Sequence, residues 1–217
     1  FLQDDFLKKP LLKKARKPIQ SRGVERQRKI LATAKLLIVE VGIKKTTAYK
    51  IAERAELPPA SIYQYFPSRE LIFEALAELQ FETLMNELNK RIQSSPVTSW
   101  QQMIETAVMS SYLFYTSDTT NIHLFLGVET TLNVRMGAAS RLTRFSEWFC
   151  SMLEQRFIIE DIDALKEPLA ISINIADAAF LRSLSLYGEI RPNYYNEALI
   201  AVLGYLAAHI SEVLPQK

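Results

Sequence analysis

Glycine is scarce in this chain, with 6 in 217 residues, and cysteine occurs once. So few glycines, with no runs of alternating β-branched residues, speak against a sheet protein built on tight turns and leave an all-α reading. A single cysteine, Cys150, excludes an intrachain disulfide framework. Its apolar context, SEWFCSML, suits a buried, inert thiol better than a redox sensor. Histidine is nearly as rare, with 2 residues. Scattered carboxylates beside two histidines and one cysteine make no recognisable nucleophile, metal or acid–base set, so neither catalysis, a metal nor a cofactor is expected. No apolar run approaches the ~18 residues of a membrane span. The N-terminus mixes Asp4 and Asp5 with lysines and lacks the apolar core of a signal peptide. These absences predict a cytoplasmic protein with no membrane partner.

What is present is hydrophobic mass, 48% of the residues, enough for a sizeable core. Charge is unevenly placed. Residues 1 to 70 hold 16 Lys and Arg against 7 Asp and Glu, a balance of +9; residues 71 to 217 hold 10 against 17, a balance of −7. A basic front and an acidic remainder, within a net charge of +2, suggest a polyanion partner at one end. Lys8, Lys9, Lys13, Lys14, Arg16 and Lys17 lie in an arm, residues 1–22, broken by Pro10 and Pro18. Two roles stand open for it: phosphate or minor-groove contact, or a solvated tail.

Apolar residues at helical spacing from Ile30 to Val41 predict a first helix over about Val24 to Val41, stopped by Gly42 as a left-handed cap. The stretch TTAYKIAERAELPPASIYQYF, residues 46–66, then reads as two short helices around a tight turn. Thr47 suits an N-cap. Ile51, Ala52, Ile62 and Phe66 face inward, and Leu57 anchors the turn. Pro58 and Pro59 suit a first helical turn, where a missing N–H costs nothing. Ala60, Ser61, Tyr63 and Gln64 fall on the outer side, small or hydrogen-bonding residues of the kind that fit a major groove. On spacing alone an ordinary surface hairpin is equally compatible. A long helix should follow, opening at Pro67 with Ser68 and Glu70 near its start, running to about Arg91 and packed through Leu71, Ala75, Leu79 and Leu84.

The run RKILATAKLLIVEVGIKKTTAYKIAERAELPPASIYQYFPSRELIFEAL, residues 28–76, resembles the DNA-binding domain of the tetracycline-repressor (TetR) family of transcriptional regulators. The carriers are the first helix up to Gly42, Thr46-Thr47, the IAERA segment and IYQYFPSRE. The resemblance implies an N-terminal three-helix helix-turn-helix DNA-binding domain, residues 23–67, and a C-terminal helical ligand-binding and dimerisation domain, residues 68–217. It implies a DNA-binding role for nine residues. Thr47 matches a phosphate contact at a helix N-terminus, and Arg69 the family's basic phosphate contact. Tyr49 lies on the exposed face of the first motif helix, within reach of a base edge. Pro59, Ala60 and Ser61 form the groove-facing start of the recognition helix. Tyr63 and Tyr65 match hydroxyl-to-phosphate contacts, with plain packing the alternative, above all for Tyr65 beside Phe66. Gln64 is the best candidate for bidentate adenine reading, although the matching family position often contacts the DNA backbone. Two residues depart from the family pattern, Glu56 where glycine is usual and Pro58 where a small polar residue is. Glu56 is expected to adopt a left-handed backbone.

Beyond the linker Ser94-Ser95-Pro96, Thr98 with Gln101 reads as a capping box opening a helix to about Tyr115. A short helix over Ile122 to Leu126 should end at Gly127, and another, interrupted near Gly137, should cover about Thr130 to Phe157. Two last helices are expected over Pro168 to Tyr187 and Asn193 to Leu214. Ser172, Ala176, Ala179 and Ser183 form a small-residue stripe on the first; Leu199, Val202, Leu203, Leu206, Ile210 and Val213 form an apolar stripe on the second. Together they predict a homodimer through a four-helix interface, with burial inside one subunit as the alternative. A dimer would set two recognition helices about 34 Å apart on a palindromic double-stranded operator. For a small, largely apolar or aromatic effector, the expected pocket residues are Met103, Tyr112, His123, Phe125, Trp148, Asn174 and Asp177, against a plain core as the simpler reading. Asp177 could also serve an interface hydrogen bond or pair with Arg182. The function so implied is a ligand-responsive homodimeric repressor, or the same fold controlled by a protein partner.

Overall fold

The structure is a computed structural model that describes residues 21–94, 96–127 and 132–217. Nearly all of the basic arm, and its expected role, lie outside the described residues. Among them the chain is helical without a sheet, the isolated bridge Phe157–Gln216 being the single extended pairing. It forms two compact units: residues 21–81 with 119–136, and residues 82–118 with 137–217.

In the first unit, α1 (Ser21–Val41) buries Ile30, Ala34, Leu37 and Ile38. Gly42 ends it at φ 79°, its N–H donating to the Ile38 carbonyl at 3.0 Å. Thr46 Oγ1 closes the turn by donating back to the Gly42 carbonyl at 2.9 Å. Thr47 caps α2 (Ala48–Arg54), its side-chain oxygen accepting from the Lys50 N–H at 3.2 Å. At the far end of α2 the Leu57 N–H reaches the Ala52 carbonyl (2.9 Å) and the Glu56 N–H the Glu53 carbonyl (3.1 Å). This paired pattern needs a left-handed residue between them. Glu56 takes it at φ 52°, as expected, at a cost of about 1 kcal/mol for a residue with a Cβ. Leu57 then packs on the core. Pro59 opens α3 (Pro59–Tyr65), which turns Ile62 inward, and Phe66 follows it into the core.

The next helix, α4 (Arg69–Ser94), starts two residues later than Pro67 suggested, because Ser68 supplies the cap: its Oγ accepts from the Leu71 N–H at 3.4 Å. It also runs past Arg91. Ile72, Phe73, Leu76 and Ala77 carry its packing, whereas Leu79, expected inside, is 39% exposed. The turn Thr119–Asn121 (α6) packs on α1 and continues into a π-helical segment, Ile122–Leu126. Leu124 and Val134 join the core of this unit, and Gln80 Nε2 donates to Asn121 Oδ1 at 2.7 Å in its interior.

In the second unit, α5 (Trp100–Ser117), α7 (Leu132–Glu154, from Gly137 on), α8 (Lys166–Tyr187) and α9 (Pro192–Leu206) surround Met103, Phe149, Leu153, Leu169, Phe180, Val202 and Leu206. α9 packs along α8 and against α5. The N-cap of α5 is Ser99, accepting from the Gln102 N–H at 3.3 Å, not Thr98; Gln102 Oε1 accepts the Thr98 N–H, and Gln101 instead donates to the Glu212 carbonyl. The helix runs two residues past Tyr115. Helix α7 passes Gly137 without a break. The Arg141 guanidinium folds over that glycine, 2.8 Å from where a Cβ would stand, so Gly137 supplies room for a side chain and not a kink.

Gly188, at φ 72°, ends α8. Ser183 Oγ donates to the Glu189 carbonyl and accepts from the Arg191 N–H, both at 2.9 Å, which fixes the turn into α9. α9 stops at Leu206, eight residues short of the expected end. Beyond it the tail carbonyls bond elsewhere: Trp100 Nε1 donates to that of Ser211 and the Ile158 N–H to that of Pro215. Ile210 is therefore buried off the helix and Val213 is 80% exposed, so neither extends an α9 stripe. The small-residue stripe is also corrected: Ser172, Ala176 and Ser183 are buried within the unit. The surface of α8 carries Ile171, Leu181 and Leu186, and that of α9 carries Ile200, Ala201 and Gly204. One further expectation changes: Asp163–Tyr187 is long and apolar enough, by length and composition, to cross a membrane. In the unit its inner face packs on α9.

Candidate nucleic-acid interface

The helix-turn-helix is held from behind by residues that leave its outer face open. Arg54, in the last turn of α2, forms a two-armed pair with Glu40 of α1, one arm at 2.8 Å. Arg69 donates to the Lys44 carbonyl (3.2 Å) and to Glu70 (3.3 Å), with its guanidinium carbon 5.7 Å from the Phe73 ring centre. It thereby ties the start of α4 to the loop before α2. The Glu70 carboxylate is held below its usual range by its own backbone N–H first, then by Ser68 and Arg69.

On the outer face, Tyr49 is 67% and Tyr63 55% exposed. Pro59, Ala60 and Gln64 are exposed beside them, and Ser61 is half-buried. The exposed cations of this surface are Lys44, Lys45 and Lys50. Thr47 is half-buried; its oxygen accepts the capping bond, which leaves its O–H able to donate to a ligand. Tyr65 is half-buried and packs on the core. Two short helices crossing at a tight turn, the second with small and amide side chains at its open start, present what a base edge reads, while hydroxyls and ammonium groups flank it as phosphate contacts do.

The seven residues expected around an effector divide between the units. His123 and Phe125 are half-buried on the π-helical segment of the first. The rest lie in the second. Met103 is fully buried. The Tyr112 ring sits 6.2 Å from that of Phe180 and 5.8 Å from that of Tyr195, centre to centre. Trp148 is half-buried against Phe145 and Phe149. Asn174 is exposed on α8. Asp177 accepts a hydrogen bond from the Tyr115 hydroxyl at 2.9 Å, a partner within its own unit in place of the expected Arg182. Burial pushes its carboxyl up to about 7, only partly offset by that bond. Tyr115 and the buried Arg141, which lowers the Tyr115 pKa by its charge, are polar groups of this interior that sequence reading missed. A tyrosine 62 residues from its carboxylate leaves no spacing signal.

Residues 30–76 match the family model for bacterial regulatory proteins, tetR family. That stretch runs from the core face of α1, through both motif helices, into α4. Over these residues the chain carries the TetR-family helix-turn-helix domain. Curated relatives include the nucleoid occlusion factor SlmA of Haemophilus ducreyi, 30% identical over 102 residues, which are 46% of this chain and 48% of that protein. SlmA of a Marinomonas species is 27% identical over 169 residues, 77% of this chain and 82% of that one. The match to SlmA of Vibrio cholerae spans 36% of its length, so the chain aligns with about half or less of the Haemophilus and Vibrio relatives. Among solved structures, a TetR-family transcriptional regulator from Streptomyces coelicolor superposes with a TM-score of 0.71 at 19% identity, covering 88% of this chain and 100% of that one. RolR, in complex with resorcinol, gives 0.64 at 20% identity over 89% and 97%. At such identities the likeness is one of fold.

Proposed function

We propose that this TetR-family chain is a homodimeric, ligand-responsive transcriptional repressor that binds a palindromic operator in double-stranded DNA. The observation that carries the reading is the open face of the helix-turn-helix, where Tyr49, Ala60, Tyr63 and Gln64 are exposed amid Lys44, Lys45 and Lys50. In the reading, residues 23–67 form the DNA-binding domain and residues 68–217 the effector and dimerisation domain. Thr47, Tyr63, Tyr65 and Arg69 hold phosphates, Pro59, Ala60 and Ser61 enter the groove with Tyr49 near a base edge, and Gln64 reads a base.

Dimerisation is assigned to the outward faces of the last two helices. Ile171, Leu181 and Leu186 on α8 and Ile200 on α9 expose apolar surface that one copy leaves to solvent, and Ala201 and Gly204 allow close approach. This also accounts for a helix as apolar as α8 with only part of it buried. An effector would act by favouring a head spacing that no longer matches successive major grooves. The aromatic interior around Tyr112, Phe180 and Tyr195 supports a small aromatic or apolar effector; Met103, Trp148, Asn174 and Asp177 are the further candidates in the same unit, and His123 and Phe125 those in the other. RolR, alike in fold, has been solved with such a molecule, resorcinol.

The second reading keeps the same fold and DNA but replaces the effector by a protein partner. Its support is the set of curated relatives, which are nucleoid occlusion factors by name. One experiment separates the outcomes. Light scattering and a salt series of duplex-binding titrations come first, then genomic footprinting, then thermal shift against a panel of aromatic and apolar compounds. A monomer with no salt-sensitive duplex binding would sink the DNA reading. Duplex binding with no compound shifting the melting point favours the protein-controlled form.

A further inference from the structure

Among the described residues, Glu56 is the one non-glycine with positive φ. It occupies the left-handed position of the turn that closes α2, a place that glycine or asparagine fills without strain. Nothing in the fold asks for a carboxylate there. Glu56 is exposed, and among the described residues no ion pair or side-chain hydrogen bond holds it, whereas Glu40 pairs with Arg54 and Glu70 with Arg69. A strained backbone that no packing repays points to a role at the surface. The residue stands two positions before Pro58 and four before Ala60, in the corner from which α3 starts, on a motif whose other exposed charges include Lys44, Lys45 and Lys50.

From this position we infer that Glu56 sets the affinity threshold of the interface. Its carboxylate opposes the attraction that the lysines offer to every phosphate backbone alike. Complexes then accumulate only where base contacts by α3 add enough to exceed that threshold. The inference rests on the proposed DNA-binding role.

The test uses the full chain, Glu56→Gln, which keeps size and backbone strain but removes the charge, and Glu56→Gly, which removes both. Probes are a random-sequence 30-base-pair duplex pool, sized roughly to one dimer footprint, and a duplex selected from that pool by the parent protein. Dissociation constants are read by fluorescence anisotropy over a potassium chloride series. Expected is a tightening of about three- to tenfold on both probes with Glu56→Gln, by the same factor, fading as salt rises. Glu56→Gly should show the same gain and a higher melting temperature. The inference is overturned if Glu56→Gln leaves both probes unchanged. It is equally overturned if only the selected duplex responds, since Glu56 then reads a base, or if only Glu56→Gly tightens binding, since backbone geometry is then the cause. Parent protein that binds no duplex in a salt-sensitive way overturns the DNA-binding role itself, and this inference with it.

Discussion

The Tyr115 hydroxyl donates to the Asp177 carboxyl at 2.9 Å, joining α5 to α8 inside the helical body. Burial raises both groups, Asp177 to about 7 and Tyr115 well above its usual value. An ionised Asp177 next to Tyr115 makes a second ionisation there still harder, so the pair responds to pH near neutrality through the carboxyl alone.

The sign of that response is fixed by the raised value. The folded protein holds a proton on Asp177 up to about pH 7, whereas the unfolded chain releases it near its ordinary value of 3.8. The stabilising contribution is complete below about pH 4, falls as pH rises to about 7, and stays lost above it. Asp177→Asn keeps an acceptor for Tyr115 and removes the titration. Its unfolding free energy from urea titration should change little between pH 5 and pH 8, and at pH 8 it should exceed that of the parent by a few kcal/mol, at most about 4. A variant no more stable than the parent at pH 8 would show that the charged carboxyl is well solvated.

Tyr63 and Gln64 are neighbours on α3 with different expected roles. Tyr63→Phe should weaken binding to all duplexes alike, through one lost phosphate hydrogen bond, by about 1 kcal/mol. Gln64→Ala and Ser61→Ala should instead change which sequences are selected, by about 1–3 kcal/mol at one position. Binding titrations of Tyr63→Phe against several duplexes check the first expectation; unchanged affinity and salt slope would remove Tyr63 from the phosphate contacts.

Local chemistry was the legible part of the fold. Gly42 and Pro59 act through their own backbone and Thr47 through its capping oxygen, and each sits where its residue type predicts; the left-handed Glu56 was legible from the family pattern, which has glycine there. What the sequence hid were outcomes decided by distant groups. α9 looked eight residues longer because nothing local stops it; the stop comes from Trp100 and Ile158, which take the tail's carbonyls. Gly137 looked like a break, but its free space is filled by Arg141, on the same helix. Ser183 and Ser172 looked like contact surface for a second copy, since a small residue reads alike against its own subunit or another. The exposure of Ala60, Tyr63 and Gln64 on α3 was readable from spacing, that of the half-buried Ser61 was not, and neither was the Tyr115–Asp177 bond.

The dimer expectation now falls on residues that one copy leaves exposed. Ile200 is 66% exposed on α9 and Leu181 37% on α8. Ile200→Asp places a charge where a partner would exclude water, a cost of several kcal/mol at a symmetric contact that meets it twice. Light scattering should show a shift to monomer at micromolar concentration, with helical content unchanged by circular dichroism. Glu160→Gln, on an exposed residue outside these helices, should leave the mass unaltered. If Ile200→Asp remains a dimer, another face carries the association.

Leu124 lies in the π-helical segment after α6, 58 residues beyond Phe66, yet it is fully buried in the core formed by α1 to α4. Its neighbour Asn121 is fixed to Gln80 of α4 by a buried hydrogen bond. The motif therefore draws stability from a segment well outside residues 30–76. Leu124→Ala should cost about 2–5 kcal/mol, because the surrounding helices close only partly over the space left. Hydrogen exchange should report faster opening of the α1 amides around Ile30 to Ile38, the wall that this core shares. Leu113→Ala, at a residue 37% exposed, should lower stability far less, by about 0.5 kcal/mol. Equal effects of the two substitutions, or unchanged protection along α1, would mean that the segment rests on the motif without supporting it.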